Sequence, residues 1–186
     1  MDDDELLALI RATPWMQHVL TQCEFELGRA ADGPVEPIHL DGDPPLEMVA
    51  GDGTGGAYLL VGAPGVPRPV VFADSEGRGG LVATSLHDAL VLVLGVPFHV
   101  RYATDAGPDG GAALRARLDR AQTDLLENWP EADVERARVR AALGLPELDD
   151  DRLATFRASC NDERHRPVSD EGNRYEPLLA VPPGPA

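Results

Sequence analysis

The residues whose types could do chemistry fall in three short groups. The first is the glycine run GDGTGG at 51–56. Its glycines match the bare G-x-G-x-x-G spacing of a phosphate-binding loop. A phosphate cradle needs such a loop to lead into a helix N-terminus, where backbone N–H groups and the helix dipole meet the anion. Here the apolar run AYLLV follows instead, and the chain has no lysine to support a P-loop. The run therefore predicts a hairpin turn. The second group, Ser85, His87 and Asp88, holds the residue types of a hydrolase triad. These residues lie within one helical turn, where neighbours one and two apart do not face each other. A triad requires a chain of mutual hydrogen bonds, and no G-x-S-x-G elbow is present. The group predicts an N-cap with first-turn polar residues. The third, Cys160, Asp162, Glu163 and His165, matches no zinc spacing, and only Cys23 could add a thiolate. It predicts a solvated helix end. His18 and His39 adjoin apolar positions and suit structural roles. His99 is a loop histidine with nothing to partner it. Trp15 and Trp129 are expected to cap the core. No catalytic residue, cofactor or metal ligand is assigned, and the chain is expected not to be an enzyme.

Acidic turns are the remaining feature. Asp41, Asp43, Asp52, Asp74 and Glu76 all fall in links between predicted strands. Aspartate is a good turn former, which explains them without any function. The functional alternative is an acidic rim that meets a basic protein and steers its approach. These five residues are the candidate partner-binding set.

The elements that must position them centre on residues 46–96. Apolar runs Leu46–Ala50, Tyr58–Gly62, Val70–Ala73 and Leu81–Thr84 are separated by turn clusters at 51–56, 63–69 and 74–80. The links are too short for parallel crossovers, so the runs predict an antiparallel meander. Ser85 then caps a helix that stops at Gly95, with Leu86, Ala89, Leu90 and Val93 on the face toward the sheet. The fold class is α+β, an antiparallel β-meander packed against helices with a helical C-terminal extension. Upstream, Asp2–Asp4 favour a helix start, with Leu6, Leu9 and Ile10 inward. Thr13-Pro14 restarts the helix, which Gly28 ends. Val35, Ile38 and Leu40 mark a proline-interrupted edge strand. Phe98–Tyr102 is a short extension or loop, and 104–111 a Gly/Asp/Pro break. Downstream, Leu114, Leu118, Ala121 and Leu125 mark one helix; Val134, Ala137 and Ala141 a second; Leu153, Phe156 and Cys160 a third. Residues 1–160 are read as one α+β domain: a helical lead-in at 1–29, the sheet and its helix at 35–96, and a helical cover at 111–160. Residues 161–186 are read as a loosely ordered tail with one docked segment.

Composition limits the partners. The net charge of −16 opposes nonspecific binding to nucleic acid or to an anionic membrane, and suits a basic protein partner. Every cationic side chain is arginine, as codon bias in a GC-rich genome would give. Cys23 and Cys160 fall on helical apolar stripes and are expected to be buried free thiols. The start MDDDE is acidic where a secretory signal is basic, and no apolar run reaches a membrane-spanning length of about 18 residues. A cytoplasmic location is expected.

The stretch AGDGTGGAYLLV, then RPVVFADSEGRGG, then LVATSLHDALVLVL resembles the SMI1/KNR4 (SUKH) superfamily over about residues 46–95. The shared pattern is a Gly-rich turn with a "GxYLL"-like strand, a "PVV" strand ending in an acidic turn, and a strand leading into an "xSLxxAL" helix. The resemblance implies no enzymatic activity and no catalytic residues. It implies an immunity protein that binds and neutralises a co-encoded bacterial toxin, often a nuclease. A regulatory scaffold for another cellular protein is the alternative. A small-ligand-binding enzyme using His99 or the acidic turns comes third.

Overall fold

The computed structural model of the chain describes residues 1–96 and 111–178. Helix α1, Asp3–Arg11, begins in a capping box. Asp2 accepts the Glu5 N–H at 2.8 Å and Glu5 accepts the Asp2 N–H at 3.1 Å. It buries Leu6, Leu7 and Ile10, while Leu9, expected inward, is 37% exposed. Helix α2, Pro14–Gln22, opens on its proline, but the Thr13 hydroxyl donates to the Leu9 carbonyl instead of capping. α2 also ends well before Gly28. Glu24 takes a positive φ of 61°, which turns Phe25 into the core and lets Glu26 bridge Gly51. A 3-10 helix, Leu27–Ala31, follows.

Strands β2 (Leu46–Gly51), β3 (Ala57–Val61), β4 (Val70–Ala73) and β5 (Gly79–Ala83) form a four-stranded antiparallel meander in that order. The third turn is shorter than the sequence suggested, because Gly79 and Gly80 belong to β5. A Cβ on Gly79 would lie 2.7 Å from Pro167 Cγ and 2.9 Å from the Phe72 carbonyl oxygen. Only a bare backbone lets the C-terminal segment lie this close.

Both faces of the sheet are buried, which is why its strands read as continuous apolar runs. Along β3, Tyr58 and Leu60 face the main helical core, whereas Ala57 and Leu59 join a second cluster with Ala73 and Tyr175. Ile38, Leu46 and Met48 border that second cluster, and Leu40 packs with Val61 and Val71 in a third. The strand expected over Val35–Leu40 is only β1, Ile38–His39. It pairs with β6, Val168–Ser169, rather than with the meander, and Val35 is 71% exposed.

Helix α3, Leu86–Gly95, has Ser85 as its N-cap, accepting the Asp88 N–H. It is buried all round, not on the sheet face alone. Leu86 and every residue from Ala89 to Leu94 are inside, since further helices cover its other side. These are α4 (Gly111–Asn128), α5 (Ala132–Leu143) and α6 (Asp150–Ser159). The face expected of α5 is reversed: Val134, Ala137 and Ala141 are exposed, and Ala132, Arg136, Val139 and Leu143 are buried. Arg136 reaches the carbonyl end of α3, donating to the Leu94 carbonyl at 3.2 Å, and its other donors go to Gln122, Asp133 and the Ala132 carbonyl. A cation at a helix C-terminus is favourable there. A second buried arginine, Arg68, ties the β3–β4 link to Asp3, Asp4 and Glu47 and so fastens α1 to the sheet.

Residues 161–178 contain the docked segment expected within the tail, and main-chain bonds hold it to β5. The Gly79 N–H donates to the Glu176 carbonyl and the Glu176 N–H to the Gly77 carbonyl, at 2.9 and 2.8 Å. Tyr175 and Leu178 are buried, and Arg166 donates to the Tyr175 carbonyl. Apolar anchors at 175 and 178 and a strand edge at β5 suffice to hold a polar segment. Residues 98–102, the Gly/Asp/Pro break up to 110 and residues 179–186 lie outside the described residues.

Candidate protein-binding face

The register of the meander puts the β2–β3 and β4–β5 turns at the same end of the sheet, since Gly51 pairs with Ala57 and Ala57 with Ala73. The first turn is built around one carboxylate. Asp52 Oδ1 accepts the Thr54 N–H, the Thr54 hydroxyl and the Gly56 N–H at 2.8, 2.9 and 2.7 Å, and the residue is only 9% exposed. Glu24, held out by its left-handed backbone, accepts the Gly53 N–H at 2.6 Å. The N–H groups at 53, 54 and 56 are thus taken by the protein's own carboxylates. Gly56 must be glycine, because a Cβ there would sit 2.3 Å from Phe72 Cζ.

The second turn repeats the device. Asp74 Oδ1 accepts the N–H groups of Glu76 and Arg78 at 2.9 and 2.8 Å. The Ser75 hydroxyl donates to the Thr54 carbonyl at 3.0 Å and joins the two turns. Tyr175, from the docked C-terminal segment, closes this end beside Ala57 and Ala73. Its hydroxyl donates to Glu36, and its pKa is pushed up by burial first, then by that bond and the charges of Glu36 and Asp74. Glu24, Glu36, Asp52, Asp74 and Glu76 therefore share one end of the sheet, next to the exposed apolar Val35. Arg78 pairs with Glu76 at 3.4 Å, and Arg29 with Glu26 at 2.9 Å beside Gly51. Carboxylates remain in excess.

The structure divides the five residues singled out from sequence. Asp52, Asp74 and Glu76 are together here. Asp41 and Asp43 precede β2 and lie toward its other end, where the Gly62 N–H bonds the Pro45 carbonyl. Asp41 pairs with Arg174 at 2.7 Å, and Asp43 sits exposed in a turn with a φ of 52°. Asp52 and Asp74 spend their oxygens on turn N–H groups, whereas Glu76 projects into solvent. Glu24 and Glu36 were missed. The chain reversal at Glu24 and the docking of Tyr175 on Glu36 both depend on contacts distant in sequence.

The other groupings do not assemble into reaction centres. Ser85 donates directly to Asp88 at 2.8 Å, with His87 Nδ1 standing 3.8 Å from the same carboxylate, so serine and histidine are not linked. Asp162 caps the 3-10 helix Glu163–His165. Burial pushes its carboxyl up, but hydrogen bonds from Arg164 and His165 outweigh this and hold it down at about 2. Glu163 pairs with Arg166, and Cys160 is a buried free thiol, as is Cys23. Burial pushes the Cys23 thiol up to about 12 and raises Cys160 as well. Trp15 lies under the Arg138 guanidinium at 4.0 Å, and the Trp129 Nε1–H donates to Glu135, both rings resting on the core. His99 lies outside the described residues. Among the described residues, no group of three or more His, Cys, Asp or Glu side chains is arranged to hold a metal ion, and no helix is long and apolar enough to cross a membrane.

Open clefts lie elsewhere among the described residues, one of them lined by Asp41, Glu163, Arg164 and Arg174, and two beside α3. One, of about 400 Å³, lies between the N-termini of α3 and α6, with Val82, Leu92 and Phe156 below and Asp88, Asp149 and Asp151 at the rim. The other, of about 290 Å³, lies at the carbonyl end of α3, where Arg136 and Arg140 face Asp119, Asp133 and Glu147. Comparison with protein-family models, with curated proteins and with solved structures finds no match for this chain.

Proposed function

We propose that this chain is a non-catalytic binding protein of the SUKH type, an immunity protein that occupies a basic toxin and blocks it by steric cover. The observation that carries the reading is the hairpin end of the sheet, which Glu24, Glu36, Asp52, Asp74 and Glu76 share and where the exposed Val35 lies against the Gly55 turn. Loops held on a rigid scaffold are where binding surfaces commonly sit, and an acidic rim with an apolar centre complements a basic protein. The net charge of −16 adds long-range attraction for such a partner. The resemblance over residues 46–95 supplies the toxin as the partner.

The test is co-expression with the product of the gene beside this chain's own, which this reading expects to be a basic toxin. The expected result is restored growth and a complex that co-purifies and weakens as salt is raised. Glu76→Lys should weaken the complex, while Asp43→Lys at the far end should not. Absence of both complex and protection removes the proposal. A stable complex with a non-toxin protein instead would move the reading to a regulatory scaffold.

A further inference from the structure

We draw no further inference here: the strongest candidate, the cleft of about 400 Å³ between the N-termini of α3 and α6, has a rim of Asp88, Asp149 and Asp151 that already serves as the caps and first-turn acids of those two helices, and nothing in the structure shows what covers it.

Discussion

Replacing Asp52 separates the two roles open to the acidic turns. In Asp52→Ala, three donors lose their acceptor. The Thr54 hydroxyl can turn to water, so its loss costs little. The Thr54 N–H bond is half-buried, although Thr54 itself is exposed, and the Gly56 N–H bond is buried, so the first loses a charged acceptor with partial replacement by water and the second with none. Bonds to charged groups contribute about 1.5–3 kcal/mol each, and the two share one oxygen, so the combined loss is about 3 kcal/mol. At this chain length each kcal/mol moves Tm by about 2–4 °C, which gives a drop of about 6–12 °C. Asp52→Asn keeps an oxygen in the same place and should cost about 1 kcal/mol. Glu76→Gln, on an exposed side chain, should stay within about 0.5 kcal/mol of the parent. Urea unfolding followed by the fluorescence of Trp15 and Trp129, with thermal melts alongside, measures all three. An Asp52→Ala protein within about 1 kcal/mol of the parent would refute the argument. It would show that the turn does not need its carboxylate.

Further outcomes follow from the buried charges and thiols. Arg136→Met should destabilise by about 1–2 kcal/mol, because the Leu94 carbonyl keeps only the longer bond from Arg140, at 3.4 Å, while Asp133 can return to water; Arg138→Ala, which loses only a half-exposed contact with Trp15, should cost about 0.5–1 kcal/mol in the same unfolding assay. Asp162 is held near 2 against an ordinary 3.8, so its contribution is present above about pH 4 and lost as pH falls toward 2. Asp162→Asn should therefore lower stability by about 1–2 kcal/mol at pH 7, and the gap should close by pH 2, as read from urea midpoints across pH. Cys23 and Cys160 should resist a thiol reagent at pH 8 in the native protein and react once it is unfolded; rapid labelling of the folded chain would contradict their burial.

The meander was legible because its turn clusters at 51–56, 63–69 and 74–80 punctuate runs of strand length, and because Ser85 and Gly95 bracket α3. The outer helices were less so. The buried stripe of α5 contains Arg136, and a charged residue at a core position hides the pattern from any reading of apolar spacing, while Val134 advertises the wrong face. α2 looked longer than it is because Cys23 and Leu27 keep a helical interval, although Glu24 breaks the backbone between them. In the segment 161–178 the apolar anchors Tyr175 and Leu178 were legible as a docking point, whereas the main-chain bonds to Gly77 and Gly79 were not. At the candidate face, Asp52 and Asp74 were visible through their turns. Glu24 and Glu36 were not, since their placement comes from partners 29 and 139 residues away.

The pairing of β1 with β6 has a consequence for synthesis. Ile38 meets Ser169, and the far side of the meander is closed by Tyr175. While the nascent chain is shorter than this, Ala57, Leu59 and Ala73 have no such cover, so a ribosome-bound intermediate displays an apolar sheet face to whatever is nearby. Such distant closure slows folding, since the covering contacts cannot form until residue 175 has been made. A truncation before residue 175 would freeze the molecule in that sticky condition.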